Sequence, residues 1–230
     1  MKRLIRLETK HNPQIDDRFH QFNSGNIGNV IYWLEIFKLI KNISGDIVEC
    51  GIGRGRSLIV LSALNQIFEK AEGGERSIYA YDSFEGFPMP SEQDKSPRKP
   101  QKGDWAFSPS GKYKYTPEFV REILQDANIK VVDSNISIIK GFFSDSLNFH
   151  PDRPIALLHI DGDLYQSYKD ALEKLYERVQ VGGVIVFDDF LEGADENEKW
   201  PGARLAVKDF LGIRYDELIA SPRGNYYFIK

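Results

Sequence analysis

Residues 46–57 read DIVECGIGRGRS, and this stretch sets the fold class of the chain. Its apolar start predicts a buried strand, and the apolar run that follows it predicts a helix. Between the two, Gly51, Gly53 and Gly55 allow a sharp turn and a close approach of the backbone to a ligand near the helix N-terminus. The carboxylate of Glu49 before this turn suits a ligand with a cationic amine better than a pyrophosphate. The alternative is a tight strand–helix turn without a ligand.

Outward from this turn, predicted strands and helices alternate along most of the chain. Strands are predicted at 46–50, 76–84, 136–143, 155–161, 182–189, 215–221 and 225–230, and helices at 56–71, 116–128, 167–179 and 202–212. Thr116 as N-cap and Pro117 in the first turn mark the start of one helix. This alternation favours an α/β fold, with one Rossmann-like domain over residues 1–230 and a mostly parallel sheet that helices cover on both faces.

The N-terminal helical segment, residues 1–45, precedes the first strand. Its last part carries apolar residues at a helical period and predicts a helix with one broad apolar stripe. The stripe is formed by Ile27, Val30, Ile31, Leu34, Phe37 and Leu39.

The segment 84–116 interrupts the alternation with a run that is rich in proline in its first half and shows little periodicity. Loops of this length in a compact domain are usually functional or disordered. Trp105, Phe107, Tyr113 and Tyr115 argue against plain disorder. We therefore predict a lid-like insertion that contacts the substrate, with a mobile surface loop as the alternative.

An acidic residue, Asp82, ends the second predicted strand. In a βαβ unit, an acid at this place accepts hydrogen bonds from ribose hydroxyls. Capping of a loop is the structural alternative. Together with Glu49 and the glycine turn, Asp82 indicates a cofactor that contains adenosine.

Four carboxylates follow two further apolar runs, IALLHIDGDLYQS at 155–167 and GGVIVFDDF at 182–190. They are Asp161, Asp163, Asp188 and Asp189. Open α/β sheets bind ligands at the C-terminal edge of their strands, where these residues are expected, and on an extended backbone the first two would point the same way. Because converging carboxylates repel one another, they predict a hard divalent cation such as Mg²⁺, Ca²⁺ or Mn²⁺. Loop acids that never meet and stay solvated are the alternative.

Composition argues against several classes of function. A formal net charge of −4 is unlike a nucleic-acid-binding domain, which usually carries a basic patch. No apolar run approaches the ~18 residues that span a bilayer, and the first residues show no signal-peptide pattern. Cys50 is the only cysteine, so internal disulfides are excluded and a cytoplasmic location is expected. Cys50 itself is expected to be a small buried residue without a chemical role.

These motifs, in this order from about residue 46 to 210, resemble the macrocin O-methyltransferase family. The resemblance rests on VECGIGRGRS, YDSFEGFP, GFFSDSL, the run from LLHIDGDLYQS to VFDDF, and PGARLAVKDF. The family consists of class I methyltransferases that use S-adenosylmethionine to methylate hydroxyls of antibiotic sugars and related natural products. The resemblance therefore implies a seven-stranded sheet, a small hydroxylated acceptor, and association into a homodimer or a higher homo-oligomer.

The resemblance also implies roles for individual residues. Glu49 would lie near the methionine amine, Asp82 on the ribose, and Asp145 and Ser146 near the adenine. The further cofactor-binding residues are Gly51, Gly53, Gly55, Ser57, Ser83, Phe84 and Asp161. Asp161, Asp188 and Asp189 correspond to the ligands of Mg²⁺ or another hard divalent cation, and Asp163 to the general base.

Other functions stay open beside this one. A catechol-type phenol is the second choice of acceptor, because its two oxygens can chelate the same metal. A non-catalytic cofactor-binding protein of the same fold is a weaker alternative. A second enzyme alternative is a nicotinamide-dependent oxidoreductase, but the third glycine comes one residue too early for that fingerprint and the carboxylate cluster also counts against it. His159 stands where the family often has arginine, and we expect it to be packed and hydrogen-bonded rather than catalytic.

Overall fold

The computed structural model describes residues 24–72, 76–129, 135–190, 198–222 and 224–230. Residues 1–23 of the predicted N-terminal helical segment lie outside these ranges. The helices are α1 (Ser24–Ile40), α2 (Arg56–Glu72), α3 (Pro117–Asp126), α4 (Phe143–Ser146), α5 (Tyr165–Leu175) and α6 (Pro201–Leu211). The strands are β1 (Asp46–Cys50), β2 (Ile78–Asp82), β3 (Ile136–Lys140), β4 (Ile155–Ile160), β5 (Val179–Phe187), β6 (Ile219–Ala220) and β7 (Tyr226–Ile229).

The strands form one seven-stranded sheet in the order β3-β2-β1-β4-β5-β7-β6. Strands β1 to β5 run parallel, and β7 pairs antiparallel with β5. Every residue of β1 and β4 is buried, because helices cover both faces of the parallel part of the sheet. The predicted α/β fold is thus confirmed. Strand β6 is shorter than expected, since a 3₁₀ helix at Gly212–Glu217 takes up the first part of the predicted strand.

Two apolar clusters, one on each face of the sheet, form the core. Helices α1, α2 and α3 cover one face with side chains such as Trp33, Leu61 and Val120. Helices α5 and α6 cover the other face with side chains such as Leu172 and Val207. Within the described ranges, no helix is long and apolar enough to cross a membrane.

Cys50 lies in the second cluster and is fully buried at the end of β1. Burial raises the pKa of its thiol, and the nearby charge of Glu49 raises it further. A thiol held in its neutral form is a poor nucleophile. The side chain therefore has the packing role that was predicted for it.

The apolar stripe predicted on α1 is only partly buried, since Phe37 lies in the core and Leu34 packs against it. Ile27, Val30, Ile31 and Leu39 are exposed. The residues that α1 buries against the sheet are Asn29, Tyr32, Trp33, Ile36, Phe37 and Ile40. This helix is apolar on most of its surface, so the period alone does not select a face. The large aromatic side chains face the core because they bury the most area there.

The insertion 84–116 is packed onto the domain through a buried carboxylate, Asp94. One oxygen of Asp94 accepts the backbone N–H of Tyr165 at the start of α5 (2.7 Å), and the other accepts the backbone N–H of Ser91 (2.7 Å). Asp94 thus satisfies a helix N-terminus from a distant part of the chain. The insertion has a defined position beside the tips of the central strands, and its opening and closing as a lid stays a prediction.

Candidate active site

A cavity of about 760 Å³ opens at the C-terminal edge of the central strands. Its walls come from α1, the glycine turn after β1, the ends of β2, β4 and β5, and the insertion 84–116. This volume lies within the range of small-molecule binding sites. Motifs that are far apart in the sequence therefore meet in one place, at the sheet edge where α/β folds bind ligands.

The turn after β1 requires glycine at its first position. Gly51 has a φ of +102°, and a Cβ there would lie 1.8 Å from the carbonyl oxygen of Asp161. The backbone N–H of Asp161 in turn donates to the carbonyl of Cys50 (2.8 Å). The predicted cofactor turn and the first carboxylate are thus held in direct backbone contact.

The other predicted residues of this turn have different places. Gly53 and Ser57 line the cavity. Gly55 packs toward α3, since a Cβ there would come within 2.3 Å of the Cδ1 atom of Ile123. Gly55 therefore allows α2 to begin close to α3.

Glu49 is fully buried behind the part of the cavity wall that Ser57 and His159 form. Its Oε1 accepts a hydrogen bond from the Ser57 hydroxyl and lies 3.2 Å from Nδ1 of His159. The ring of His159 packs edge-on against Trp33, with 4.8 Å between the ring centroids. His159 is thus packed and hydrogen-bonded, as predicted.

Asp82 lines the cavity and is held by three backbone N–H groups. Its Oδ2 accepts from Ile52 and Gly53 (2.9 Å each), and its Oδ1 accepts from Phe84 (2.7 Å). Burial raises its pKa, and these three hydrogen bonds lower it. Because a carboxylate has about four acceptor sites, Asp82 keeps capacity for a further donor such as a ribose hydroxyl.

Ser83 and Phe84 continue the chain after Asp82. Ser83 lines the cavity, and its hydroxyl donates to the carbonyl of Gly86 (2.8 Å). Phe84 is buried and has a φ of +53°. Its contact with a cofactor stays a prediction.

Asp145 and Ser146 lie on α4, next to the cavity. Asp145 is exposed, and the hydroxyl of Ser146 donates to the carbonyl of Phe142 (2.9 Å). The cavity wall in this region is formed by Phe142, Phe143 and Ser144. An adenine contact of Asp145 and Ser146 therefore also stays a prediction.

Strand register brings the four predicted carboxylates together. Ile160 in β4 pairs with Phe187 in β5, so Asp161 and Asp188 are the first residues past the aligned strand ends. Neighbouring strands lie about 4.8 Å apart. Asp163 and Asp189 line the same cavity. The alternative in which these acids never meet does not hold.

The tightest group of carboxylates differs from the predicted metal set by one member. One oxygen each from Asp161, Asp163 and Asp189 lies within 4.8 Å of the others. The predicted set has Asp188 instead, whose Oδ1 accepts a hydrogen bond from the Asn225 amide (3.1 Å). Asp163 joins the group because its φ is +56° rather than extended, and its N–H donates to Oδ2 of Asp189 (2.7 Å). The extended backbone expected at this point does not form.

Burial and mutual repulsion raise the pKa values of the carboxylates in this group. The pKa of Asp161 is raised well above its usual range, first by burial and then by the charges of Asp188 and Asp189. Burial and the charge of Asp189 raise the pKa of Asp163, and the nearby Arg98 lowers it in part. The pKa of Asp189 is raised by burial and then by Asp188. Poorly solvated like charges of this kind call for a proton or a cation between them.

Two further residues position the carboxylates, and the sequence did not predict them. The hydroxyl of Tyr168 donates to the carbonyl of Ile160 (2.9 Å) and accepts from the N–H of Asp189 (3.3 Å). The amide of Asn225 also donates to the backbone carbonyl of Asp188 (2.9 Å). Tyr168 had only a helical pattern and Asn225 only a strand pattern, and neither pattern links them to the carboxylates. Asn225 reaches the site from the antiparallel end of the sheet.

The insertion forms the outer wall of the cavity with Phe87, Trp105 and Tyr115. Phe87 packs edge-on against Trp200, with 5.6 Å between ring centroids. The guanidinium of Arg98 lies over the rings of Trp105 (5.9 Å) and Trp200 (5.6 Å). Arg98 and Trp200 were not predicted, because no local pattern links them across about a hundred residues. In the sequence, the aromatic residues of the insertion were the feature that indicated its place beside a ligand-binding cavity.

Comparison with known proteins shows the family. The macrocin O-methyltransferase family matches residues 36–216. Demethyldecarbamoylnovobiocin O-methyltransferase from Streptomyces niveus is 30% identical over 191 residues, which are 82% of this chain and 67% of that protein. The 8-demethyl-8-(2,3-dimethoxy-alpha-L-rhamnosyl)-tetracenomycin-C 4'-O-methyltransferase from Streptomyces olivaceus is 30% identical over 187 residues, 81% of this chain and 65% of that protein. The chain thus spans about two thirds of the length of these two relatives.

Solved structures agree with this assignment. The O-methyltransferase NovP has a TM-score of 0.65 at 29% identity and covers 87% of this chain and 80% of its own. A calicheamicin methyltransferase has a TM-score of 0.75 at 23% identity and covers 90% of this chain and 80% of its own. At this identity the comparison supports the fold only. The family match extends over most of the sheet and over all four carboxylates. The chain therefore belongs to the macrocin O-methyltransferase family, and it is an S-adenosylmethionine-dependent O-methyltransferase.

Proposed function

We propose that this protein methylates a sugar hydroxyl of a small natural-product acceptor, with the help of Mg²⁺ or another hard divalent cation. The observation that carries the proposal is the meeting of Asp161, Asp163 and Asp189 in the cavity that also contains the glycine turn. In this proposal the methyl donor and the activated hydroxyl occupy one cavity of about 760 Å³.

We place S-adenosylmethionine along the glycine turn, with Asp82 on the ribose hydroxyls and Glu49 near the methionine amine. The remaining acceptor capacity of Asp82 supports the ribose contact. Glu49 supports the amine contact because its buried Oε2 has no hydrogen-bond partner among the described residues. Backbone of Gly51 and Gly53 and the Ser57 side chain complete this part of the wall.

The donor set fits a hard cation, since carboxylate oxygens are the ligands that Mg²⁺, Ca²⁺ and Mn²⁺ prefer. Asp161 and Asp189 would hold the ion, and Asp188 is the third ligand that the family resemblance implies. When bound, such an ion lowers the pKa of a coordinated hydroxyl and fixes its position. Asn225 and Tyr168 would orient the carboxylates, as outer hydrogen-bond partners of metal ligands commonly do.

Asp163 is the proposed general base. Its raised pKa, caused by burial and by Asp189, makes it a stronger base than an exposed carboxylate. The acceptor oxygen forms a bond to the methyl carbon while the bond from that carbon to the sulfonium sulfur breaks, and the hydroxyl proton passes to Asp163. Rate then depends on holding sulfur, carbon and oxygen in line, which a cavity with fixed walls achieves.

The acceptor class rests on the relatives. The printed names of two of them point to a novobiocin derivative and to the rhamnosyl unit of a tetracenomycin. Trp105 and Trp200 line the cavity and offer flat apolar faces to a sugar ring or to an attached aromatic group. No described feature favours a catechol over a sugar.

The proposal is tested by incubating the protein with S-adenosylmethionine and three acceptors: a rhamnosylated natural product, a nucleotide-activated rhamnose and catechol. Each reaction is run with Mg²⁺ and with EDTA, and mass spectrometry detects the added methyl group. We expect methylation of a rhamnose-containing acceptor and its loss in EDTA. Full activity in EDTA would remove the metal from the proposal, and methylation of catechol alone would replace the acceptor class.

We also propose a cytoplasmic location and self-association. The single cysteine is consistent with a reducing compartment. The exposed apolar side chains of α1, among them Ile27, Val30 and Ile31, support contact with a second copy of the chain. Light scattering on the protein and on Ile31→Glu tests this, and an unchanged monomeric mass for both would exclude it.

A further inference from the structure

The turn that carries Asp163 is held by hydrogen bonds from two other parts of the chain. The backbone N–H of Asp163 donates to Oδ2 of Asp189 (2.7 Å). Two residues later, the backbone N–H of Tyr165 donates to Oδ1 of Asp94 (2.7 Å). The side chain of Leu164 is buried between these two bonds. The backbone around Asp163 is therefore fixed by the end of the neighbouring strand and by the insertion.

This turn needs contacts from outside to keep its shape. The φ of Asp163 is +56°, a conformation that is disfavoured for a residue with a Cβ and persists where surrounding contacts enforce it. Helix α5 begins directly afterwards, and its N-cap residue, Leu164, has no polar side chain to accept from the first turn. Asp94 supplies the acceptor that a capping side chain would otherwise provide.

The carboxylate of Asp94 has a tightly defined position. It is 3% exposed, and its Oδ2 accepts from both the N–H and the hydroxyl of Ser91 (2.7 Å each). From the other side, a Cβ at Gly202 in α6 would lie 1.9 Å from Oδ1 of Asp94 and 2.8 Å from the backbone nitrogen of Tyr165. Glycine at this position thus leaves room for the bond between Asp94 and Tyr165.

Asp94 also belongs to the segment that forms the outer wall of the cavity. Phe87 and Trp105 of this segment line the cavity. The N–H of Phe87 donates to the carbonyl of Asp104 (2.9 Å), which closes the loop that contains Asp94. The wall that would contact the acceptor and the turn that carries the proposed base are thus joined through one buried carboxylate.

We propose that Asp94 is a positioning residue for methyl transfer, which acts through Tyr165 to keep Asp163 in its left-handed conformation. This inference rests on the proposed role of Asp163 as general base. Without the bond to Asp94, the backbone of Asp163 relaxes toward an extended conformation, and its carboxylate moves away from Asp161 and Asp189. A displacement of about 1 Å in an active site can cost about 10²-fold in rate. The insertion therefore sets the position of the base as well as the shape of the acceptor wall.

Four variants change the surroundings of Asp94 in different ways. Asp94→Ala removes the acceptor, and Asp94→Asn keeps an oxygen for the N–H of Tyr165. Gly202→Ala leaves Asp94 unchanged but pushes its Oδ1 away from Tyr165, because the added methyl group overlaps that oxygen. Ser91→Ala is the matched control, since it removes a hydrogen bond from the opposite oxygen of the same carboxylate.

Steady-state kinetics measure turnover with a rhamnosylated natural product or a nucleotide-activated rhamnose, whichever the protein methylates. We expect Asp94→Ala and Gly202→Ala each to lower kcat about 10-fold to 100-fold at saturating acceptor. The Kd for S-adenosylmethionine should stay within about twofold. Asp94→Asn should recover most of the kcat, and Ser91→Ala should change it less than about twofold. A raised acceptor KM with unchanged kcat in Asp94→Ala would show that Asp94 only anchors the insertion, and the inference would fail.

A double-mutant cycle tests whether Asp94 acts through the base. A residue that acts through another has little effect once that other residue is replaced, so adding Asp94→Ala to Asp163→Asn should lower kcat less than about threefold further. A further loss as large as that of Asp94→Ala alone would overturn the inference while the proposed function stands. Unchanged kcat in Asp163→Asn would overturn the proposed base and this inference together.

Amide hydrogen exchange, followed by NMR, gives a readout that needs no turnover. The amide of Asp163 has its acceptor on Asp189, so its exchange rate does not depend directly on Asp94. We expect this rate to rise about tenfold or more in Asp94→Ala and Gly202→Ala and to stay within about twofold in Ser91→Ala. An unchanged rate in the first two variants would overturn the inference whatever the kinetics show. Melting temperatures check folding, and if one of these two variants does not fold, the other decides.

Discussion

The backbone N–H of Asp163 donates to Oδ2 of Asp189, 2.7 Å away, and this bond joins the two acidic motifs of the chain. Asp163 has a φ of +56°, a left-handed conformation that non-glycine residues adopt at a cost of roughly 1–2 kcal/mol. The bond and the turned backbone place the Asp163 carboxylate beside Asp161 and Asp189 rather than along the strand. Strained backbone at such a place is a frequent property of functional sites.

The roles of the carboxylates can be separated by asparagine substitutions. We expect Asp161→Asn and Asp189→Asn to lose both activity and the rise in melting temperature expected with Mg²⁺, because these side chains are the proposed ligands of the ion. Asp163→Asn should keep most of that rise and lose about 10²–10⁴-fold in kcat, the usual effect of removing a general base. Melting curves with and without Mg²⁺ and steady-state kinetics measure the two effects.

Asp216→Asn, on the exposed 3₁₀ helix at Gly212–Glu217, is the control for these variants and should change neither quantity. If Asp163→Asn abolishes the effect of Mg²⁺ and Asp188→Asn does not, Asp163 is a metal ligand and the base must be sought elsewhere.

Replacement of Asp94 should loosen the insertion 84–116. Asp94→Ala leaves the N–H groups of Ser91 and Tyr165 without their acceptor and should cost about 1–3 kcal/mol of the free energy of unfolding. Hydrogen exchange should rise in 84–116 and at the start of α5, and the KM for the acceptor should rise more than that for S-adenosylmethionine.

Glu92→Ala is the matched control, because Glu92 stands two residues before Asp94 and its side chain forms an exposed ion pair with Lys95. Loss of this pair should cost less than about 1 kcal/mol. Equal hydrogen exchange in 84–116 for Asp94→Ala and the unsubstituted protein would show that Asp94 does not anchor the insertion.

Two glycines of the same turn should respond differently to alanine. Gly51→Ala places a methyl group 1.8 Å from the Asp161 carbonyl and should cost more than about 4 kcal/mol of the free energy of unfolding, which prevents folding in many domains. Gly53→Ala meets nothing within 4 Å and should cost only the roughly 1–2 kcal/mol of its positive φ. Urea unfolding measures the free energy of unfolding of both variants. An equal loss in the two would contradict the close approach of the backbone after β1 to the backbone after β4.

His150 should make stability fall below neutral pH. Its imidazole is buried, Nδ1 lies 2.7 Å from the hydroxyl of Tyr81, and burial followed by the charge of Arg178 lowers its pKa from 6.5 to about 4. Between pH 6.5 and about pH 4, the imidazole of His150 is protonated in the unfolded chain and neutral in the folded chain. Stability from this group is therefore present above pH 6.5 and is lost as the pH falls toward 4.

The measurement is the free energy of unfolding from pH 7 to 5 for the unsubstituted protein and for His150→Gln. When the free energy of unfolding is plotted against pH, the slope for His150→Gln should be shallower by up to about 1.4 kcal/mol per pH unit, which is the value for uptake of one proton. Tyr81→Phe keeps the imidazole and should keep most of the slope. Parallel slopes for the protein and His150→Gln would mean that His150 is protonated in the folded state.

The limits of sequence-based prediction are visible in particular elements. Strand β1 and its glycine turn are encoded locally, since apolar residues, Gly51 and the helix that follows suffice to specify them. The broad apolar stripe predicted on helix α1 is buried only in part, because a helix that is apolar on most sides has no preferred buried face until a sheet is there to pack on. The approach of Asp163 to Asp161 and Asp189 was not predicted, because the turned backbone of Asp163 depends on a bond to Asp189.

By itself, the sequence determined the α/β class, the glycine turn after the first strand and the convergence of four carboxylates on one cavity, since each follows from short-range patterns and from the rule that parallel strands end at one edge. Tertiary structure alone decided which carboxylate oxygens meet, which face of α1 is buried and which residues position the site. Asp94, Asn225 and Trp33 reach their partners across long stretches of chain. Their contacts depend on strand register and helix packing, which no local pattern specifies.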